Sequence, residues 1–436
     1  MRKVLIASTL LLISSNAISQ QLHRCLSYEA VLHETKLDPA YKQRYEETFQ
    51  QAKRRGQDNF TQKSDVEYTI PVVVHVVYNK PEHNIHDSII HNQIRVLNED
   101  YGRLNRDSVN LRSEFSPLAG NPKIKFVLAS VDPDGNPTTG ITRTYTATST
   151  FGSFTMMNDL SGVEKIKKTN DGGIDPWNQT RYLNIWVGNM AVSLGSSEMP
   201  IVLGYATPPP NLPHWPAGST GNLIDGVVVQ YQCFGSNNPN PLPMMTTYVA
   251  KGRTATHEVG HYLGLRHIWG DSQDCSIDDG VADTPNATSE SQQDCDASKN
   301  TCTDNIGSHG DLPDMIENFM DYSAETCQNT FTKGQTEIMR GILDGPRYDL
   351  VHDNVASSAY ENAITASLSP NPSSGFITAS FSVAPEFIHI LDAQGRIIQT
   401  VNNVGQTLQL DLSGLDAGIY ILQLGNYNRS ERVIKL

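Results

Sequence analysis

The stretch His257-Glu258-Val259-Gly260-His261-Tyr262-Leu263-Gly264-Leu265-Arg266-His267 decides how the rest of the chain is read. His257 and His261 are four apart, so on a helix both imidazoles project from one face and can share one metal ion. Glu258 lies beside that face, where its carboxylate can take a proton from an attacking water. On a continuous helix His267 would point about 240° around the axis from His261, away from the ion. The helix must therefore end between them. Gly264 can end it, because a left-handed C′ position costs glycine almost nothing. Three neutral imidazoles with one open position are the donor set of a catalytic zinc site rather than a structural one.

Around this stretch the totals are those of an ordinary globular chain. Its 436 residues suffice for two or three domains, and 38% hydrophobic content supports packed cores. A formal charge of −14 argues against nucleic acid and against anionic membrane surfaces as partners. After the N-terminus no apolar run reaches the length of a transmembrane segment. At the start, Arg2 and Lys3 precede the apolar run Val4 to Ile13, and Ala17-Ile18-Ser19 offers small residues for cleavage. Residues 1–19 thus have the layout of a secretory signal peptide. No cysteine stands immediately after the expected cut, which argues against a lipid anchor there. The exported chain meets an oxidising compartment, where paired cysteines are expected.

Residues 20–55 are polar and helix-prone and end in Lys53-Arg54-Arg55-Gly56, a candidate processing site. This candidate pro-segment carries Cys25, whose thiolate can take the zinc's open position and keep an enzyme latent. A free cysteine or a disulfide to Cys233 are the alternatives, and Cys233 itself has no assigned role. From Tyr68 to Tyr78 the chain is β-branched and nearly continuous, as in a strand buried on both faces. His75 within it reads as a satisfied core histidine. Asp87 to Asn105 has helical spacing. Ile124–Val131, Tyr182–Val187 and Gly226–Tyr231 read as further strands, and Lys333–Leu343 as a closing helix. Interleaved strands and helices predict an α/β (α+β) catalytic domain over 56–350 with a mixed twisted sheet and an active-site helix. A linker over 351–366 leads to 367–436, where short strands separated by turns predict a small all-β sandwich. The strands are expected at Phe376–Ser382, Phe387–Leu391, Arg396–Val401, Thr407–Leu412, Ile419–Leu424 and Arg432–Leu436.

Glu317-Asn318-Phe319-Met320-Asp321-Tyr322 begins fifty residues past His267. Taken alone, Met320 reads as plain core and Tyr322 as plain surface; with the zinc signature upstream, Tyr322 can donate its hydroxyl to an oxyanion. Between Asp271 and Glu325 there are fourteen acidic residues and one basic, Lys299. A solvated acidic loop accounts for most of that run. Within it, Asp278 to Pro285 packs carboxylates, a hydroxyl and carbonyls into the hard-oxygen mixture that calcium prefers. Cys275, Cys295, Cys302 and Cys327 bracket the segment as two disulfides, with three pairings open.

With these residues assembled, the zinc signature, Asp283-Thr284-Pro285, the four cysteines, Asn318 to Tyr322 and Phe331-Thr332-Lys333-Gly334-Gln335 resemble a pappalysin-family metzincin of the short bacterial and archaeal type. The resemblance implies zinc on His257, His261 and His267, Glu258 as general base and acid, Tyr322 on the tetrahedral intermediate and Met320 in the Met-turn. It also implies calcium on Asp279, Ala282, Asp283 and Thr284, latency through Cys25, and the pairs Cys275–Cys302 and Cys295–Cys327. Such enzymes are endopeptidases that cut proteins or peptides, several of them before Arg or Lys held by an acidic pocket residue. The matching position is Glu325, where aspartate is expected; the charge is kept with a longer reach. Leu368 to Pro372, Gly395-Arg396, Ala417 to Tyr420 and Val433 to Leu436 resemble the C-terminal sorting domain read by the type IX secretion machinery. That implies export across the outer membrane of a Bacteroidota-like bacterium, to the surface or the medium. A surface protein with a vestigial zinc site, or an amidase acting on a non-protein amide, are the competing functions.

Overall fold

The computed structural model describes residues 22–60, 65–153, 159–195, 197–209, 223–242, 248–249, 251–352, 366–381, 384–385, 387–393, 395–402, 404–425 and 429–436. The leader at 1–19 and most of the expected linker lie outside the described residues. Among them no helix is long and apolar enough to cross a membrane.

The chain opens with β1 (His23–Cys25), α1 (Ser27–Leu37) and α2 (Ala40–Phe60), followed by β2 (Tyr68–Tyr78), α3 (Asp87–Tyr101), β3 (Ala119–Gly120), β4 (Ile124–Leu128) and β5 (Ile141–Tyr145). A single turn, α4 (Ser161–Glu164), precedes β6 (Leu183–Gly188), β7 (Ala191–Leu194), β8 (Ser197–Pro200), β9 (Val202–Ala206) and β10 (Val227–Gln230). Then come α5 (Arg253–Tyr262), β11 (Phe331–Thr332), α6 (Lys333–Leu343) and α7 (Tyr348–His352).

Seven strands form one mixed sheet in the order β1-β9-β10-β6-β2-β4, with β5 also paired to β2. All its pairings are parallel except β9 with β10. The sheet is centred on β2 because that strand is a run of stiff, β-branched side chains, buried on both faces. His75 is fully buried there, with Nδ1 on Thr142 Oγ1 at 2.7 Å and Nε2 on Asn184 Oδ1 at 3.0 Å. α3 is shorter than its spacing predicts: it stops at Tyr101, before Gly102 and a left-handed Arg103 at φ +50°. Its last residue fixes it to the site helix, since the Tyr101 hydroxyl donates to Thr256 O at 2.9 Å.

α2 continues past residue 55 to Phe60, so the change of composition there is not a break in structure. It lies backbone-close to α6. A Cβ on Gly56 would fall 1.9 Å from Glu337 O, and one on Gly341 1.9 Å from Ala52 O. The candidate processing residues Lys53 to Gly56 therefore sit within a packed helix.

The C-terminal unit has β12 (Ala366–Ser369), β13 (Phe376–Phe381), β14 (Phe387–Leu391), β15 (Ile397–Asn402), β16 (Thr407–Asp411), β17 (Gly418–Leu424) and β18 (Arg429–Lys435). Two antiparallel sheets, β12-β13-β16 and β15-β14-β17-β18, share a core of Ile377, Phe381, Ile388, Ile390, Leu410 and Leu422. β12 was expected as linker and turn. Its exposed-inward alternation spans only four residues, too few to show a period.

Candidate metal centre and active site

All ten residues of α5 are buried. Its N-terminus is held by Glu325, which accepts from Lys251 N (2.7 Å), Thr254 N (2.7 Å) and the Thr254 hydroxyl (3.0 Å). A carboxylate there satisfies orphan N–H groups and meets the positive end of the helix dipole. The C-terminus closes as the spacing requires. Gly264 has φ +89°, its N–H donates to His261 O, and Leu265 N–H donates to Gly260 O, both at 2.9 Å. Those two bonds are a Schellman motif, and they turn the chain so that His267 comes back to the helix.

The three Nε2 atoms lie 3.1–3.2 Å apart. Ligands of a tetrahedral zinc with Zn–N near 2.0–2.1 Å would be roughly 3.3 Å apart, so the imidazoles fit that ion. Burial holds His257 and His261 far below the usual imidazole range, in the neutral form a metal needs. Cys25 completes the set: its Sγ and one atom of each histidine all lie within 4.8 Å of one another. Burial and the neighbouring Glu258 raise the thiol, which donates to Glu258 Oε2 at 3.2 Å. A metal's positive charge would favour the thiolate instead.

Each Nδ1 faces outward to an acceptor. His257 meets Phe319 O at 2.8 Å, His261 meets Leu265 O at 2.9 Å, and His267 meets Asp271 Oδ1 at 2.6 Å. Phe319 belongs to the turn that carries Met320, which is fully buried under the helix. Gly260 admits it: a Cβ there would fall 2.4 Å from Met320 Sδ. Asn318 holds the turn, accepting from Met320 N at 2.9 Å and donating to Gln335 Oε1 at 2.9 Å. Gln335 belongs to the capping box of α6 with Thr332. The Tyr322 ring lies 5.0 Å from His267 and 5.6 Å from His257.

Glu258 is fully buried, and burial pushes its carboxyl up to about 8, opposed by hydrogen bonds from Cys25 and Ser27. Ser27 was not anticipated from sequence. Its hydroxyl donates to Glu258 Oε2 at 3.0 Å and accepts from Ala206 N at 2.9 Å. Gly204 was missed too; a Cβ there would fall 2.8 Å from Glu258 Cγ. Arg24 is buried beside them, with Nη1 donating to Tyr322 O at 2.7 Å and also to Ser323 O. β1 thus enters the sheet edge at β9 in parallel and delivers Arg24, Cys25 and, just beyond it, Ser27 to the site. A cleft of about 330 Å³ opens there, lined by Cys25, Tyr28, Glu29, His267, Asp271 and Tyr322 among others.

Glu325 is not brought to this cleft. It is fully buried and caps α5. Burial first, and then its charge, raise the Cys233 thiol, while Arg24 lowers it. Glutamate and arginine therefore act on one buried region. Cys25 and Cys233 are both free, so the disulfide between them is absent, while Cys275–Cys302 and Cys295–Cys327 are formed. In the acidic loop, Thr284 Oγ1 lies 2.8 Å from Asp279 Oδ1, and Asp283 Oδ2 accepts from Gly334 N at 2.9 Å. Burial raises the Asp279 carboxyl well above the usual carboxylate range. Ala282 is exposed, and Asp283 Oδ1 is buried without a hydrogen-bond partner. Among the described residues, the histidine centre is the one group of three or more His, Cys, Asp or Glu at mutual metal-binding distance.

Residues 237–344 match the peptidase family model described as pregnancy-associated plasma protein-A, and residues 367–436 match that of the secretion system C-terminal sorting domain. An extracellular metalloprotease of Arthroderma benhamiae is 46% identical over 90 residues, which cover 21% of this chain and 31% of that protein. One of Verticillium alfalfae is 38% identical over 141 residues, covering 32% and 44%. The match therefore spans under half the length of these fungal relatives. Among solved structures, mature mirolysin of Tannerella forsythia in complex with a cleaved peptide is 43% identical, with 68% of this chain and 99% of that one covered and a TM-score of 0.55. A promirolysin variant of the same organism is 39% identical over 77% and 99%, with a TM-score of 0.60. The C-terminal sandwich is thus a type IX sorting domain, which marks the chain for export from a bacterium of the Bacteroidota. With that export signal joined to a metzincin fold and an HExxHxxGxxH centre, the chain belongs to the pappalysin family of metallopeptidases.

Proposed function

We propose that this chain is a zinc endopeptidase made with its active site closed by its own N-terminal segment. The observation that carries the reading is the convergence of three Nε2 atoms, a thiol and a buried carboxylate on one point. Zinc held by His257, His261 and His267 would polarise the scissile carbonyl and acidify a water. Glu258 takes the proton from that water and passes it to the leaving amine. The Tyr322 hydroxyl donates to the carbonyl oxygen as it gains charge, and Met320 keeps the floor of the site dry and apolar. Cys25 would be a further ligand to the zinc and Ser27 occupies the base, so both must leave before a substrate enters. Lys53 to Gly56 remains the candidate cut, and it requires α2 to open.

A preference for Arg or Lys after the scissile bond is supported by Arg24, a buried arginine already accommodated next to the catalytic groups. Calcium in the Asp278–Pro285 loop is supported by the orphaned Asp283 Oδ1. Glu258→Gln is the test of the core reading. The processed variant should hold one zinc per chain and lose nearly all cleavage of casein. Wild-type cleavage by that variant overturns the assignment.

A further inference from the structure

Two of the three imidazoles are oriented by the main chain, and the third is not. Phe319 O and Leu265 O, the acceptors for His257 and His261, are fixed by the Met-turn and by the end of α5. His267 lies beyond the helix, in a stretch with no regular structure. Its Nδ1 meets a side chain, Asp271 Oδ1, at 2.6 Å. The turn between them is built for that contact. Gly270 N–H donates to His267 O at 2.9 Å, and Gly270 and Asp271 are both left-handed, at φ +60° and +53°. A left-handed non-glycine is uncommon, and aspartate is among the few residues that adopt that conformation, so the turn suits the residue that meets the imidazole. Trp269 stacks on the same imidazole, 4.3 Å away at 7°, and so removes the ring's remaining freedom to tilt.

We propose that Asp271 is a positioning residue for the metal centre, and the inference rests on the zinc reading above. Its carboxylate accepts the Nδ1–H of His267, keeps the tautomer that leaves Nε2 free for the ion, and makes that nitrogen the more electron-rich donor. A carbonyl does the first two things less strongly and carries no net charge. The ligand with the least backbone support thus has the strongest hydrogen-bond partner. Removal of such a partner typically weakens metal binding roughly 10–100-fold.

The test is zinc affinity of the processed full-length enzyme, measured by competition with a chromophoric chelator. Asp271→Asn keeps the shape and an acceptor oxygen but loses the charge; Asp271→Ala loses both. Affinity should fall roughly 10–100-fold in the first and further in the second, and the visible bands of the cobalt-loaded protein should shift. If wild type holds zinc and both variants bind it equally well, the role of Asp271 is refuted while the zinc site stands. If wild type holds no zinc, the reading beneath it falls as well. Should the variants not fold, histidine-selective NMR of the wild-type zinc enzyme decides. The Nδ1 proton of His267 should resonate downfield of those of His257 and His261, and three equal shifts, or an unprotonated Nδ1, would overturn the proposal.

Discussion

Gly264 has φ +89°, and a Cβ on it would fall 2.9 Å from Ile342 Cγ1. Gly264→Ala therefore meets both a backbone penalty and a contact in the core, and a loss of about 2 kcal/mol is expected in urea unfolding of the folded chain. Because the Schellman turn sets where His267 arrives, the same variant should also bind zinc less tightly. Unchanged stability and unchanged zinc affinity together would remove the turn from the argument. Ser27 makes a separable claim. Ser27→Ala deletes the hydroxyl on Glu258 but leaves Cys25 in place, so the unprocessed chain should show more residual cleavage than wild type, and Cys25→Ala more still. Equal residual activity in wild type and Ser27→Ala would mean that the hydroxyl contributes nothing to closure. The histidines, Glu258 and Gly264 were legible because helix geometry connects residues close in sequence. Ser27, Gly204 and Asp271 were not. Ser27 reaches Glu258 across 231 residues, and Gly204 shows its purpose only when another chain segment lies against it. Asp271 is near enough in sequence, but its left-handed turn leaves no periodic trace.

Among elements, β2 is the clearest success of sequence reading: its observed ends, Tyr68 and Tyr78, are those of the β-branched run. α6 was equally legible, since its capping box is written in Thr332 and Gln335. What escaped were β3, β5, β7, β8, β9, β11 and β12, of two to five residues, too short for a period to develop, and the union of β1 with the sheet edge, which composition does not show. β2 also carries a pH dependence. Burial lowers His75 to about 4 from 6.5. Between those values the unfolded chain takes up a proton that the folded chain refuses. The contribution of a neutral His75 is therefore complete above pH 6.5 and is lost as pH falls toward 4, to at most about 3 kcal/mol. His75→Gln can keep the hydrogen bonds and cannot titrate, so its melting temperature should fall less between pH 7 and pH 4.5 than that of wild type. Parallel curves would show that acid sensitivity originates elsewhere. α5 supplies the other element-scale test. Glu325→Gln replaces an acceptor by a donor opposite Lys251 N or Thr254 N, and a loss of about 1–3 kcal/mol is expected for the unmade bond. If its urea midpoint matches that of wild type, the carboxylate is not what holds the start of this helix.

At the scale of the whole molecule, the chain has two units whose cores share no residue. The peptidase unit is built around the mixed sheet, with clusters that include Val74, Leu97 and Trp186, and the sorting unit around Ile388 and Leu422. Their chemistry differs as much as their topology. Both disulfides, Cys275–Cys302 and Cys295–Cys327, lie in the peptidase unit, closing separations of 27 and 32 residues, as does the metal centre. The sorting unit contains neither cysteine nor a histidine cluster. Reduction and metal removal should therefore act on one unit only. Loss of a native disulfide typically costs 2–5 kcal/mol, and in a unit of this size each kcal/mol shifts a melting temperature by roughly 2–4 °C. Calorimetry of the full-length chain should show two transitions. A reductant should move the larger one down by several degrees, and a chelator should move the same one. The smaller transition should stay where it was under both treatments. A single transition that shifts as one body would show that the sorting unit is stabilised by the peptidase unit. Independence would instead explain how one small β-sandwich can be read by export machinery without regard to the state of the metal centre or of its latency contacts.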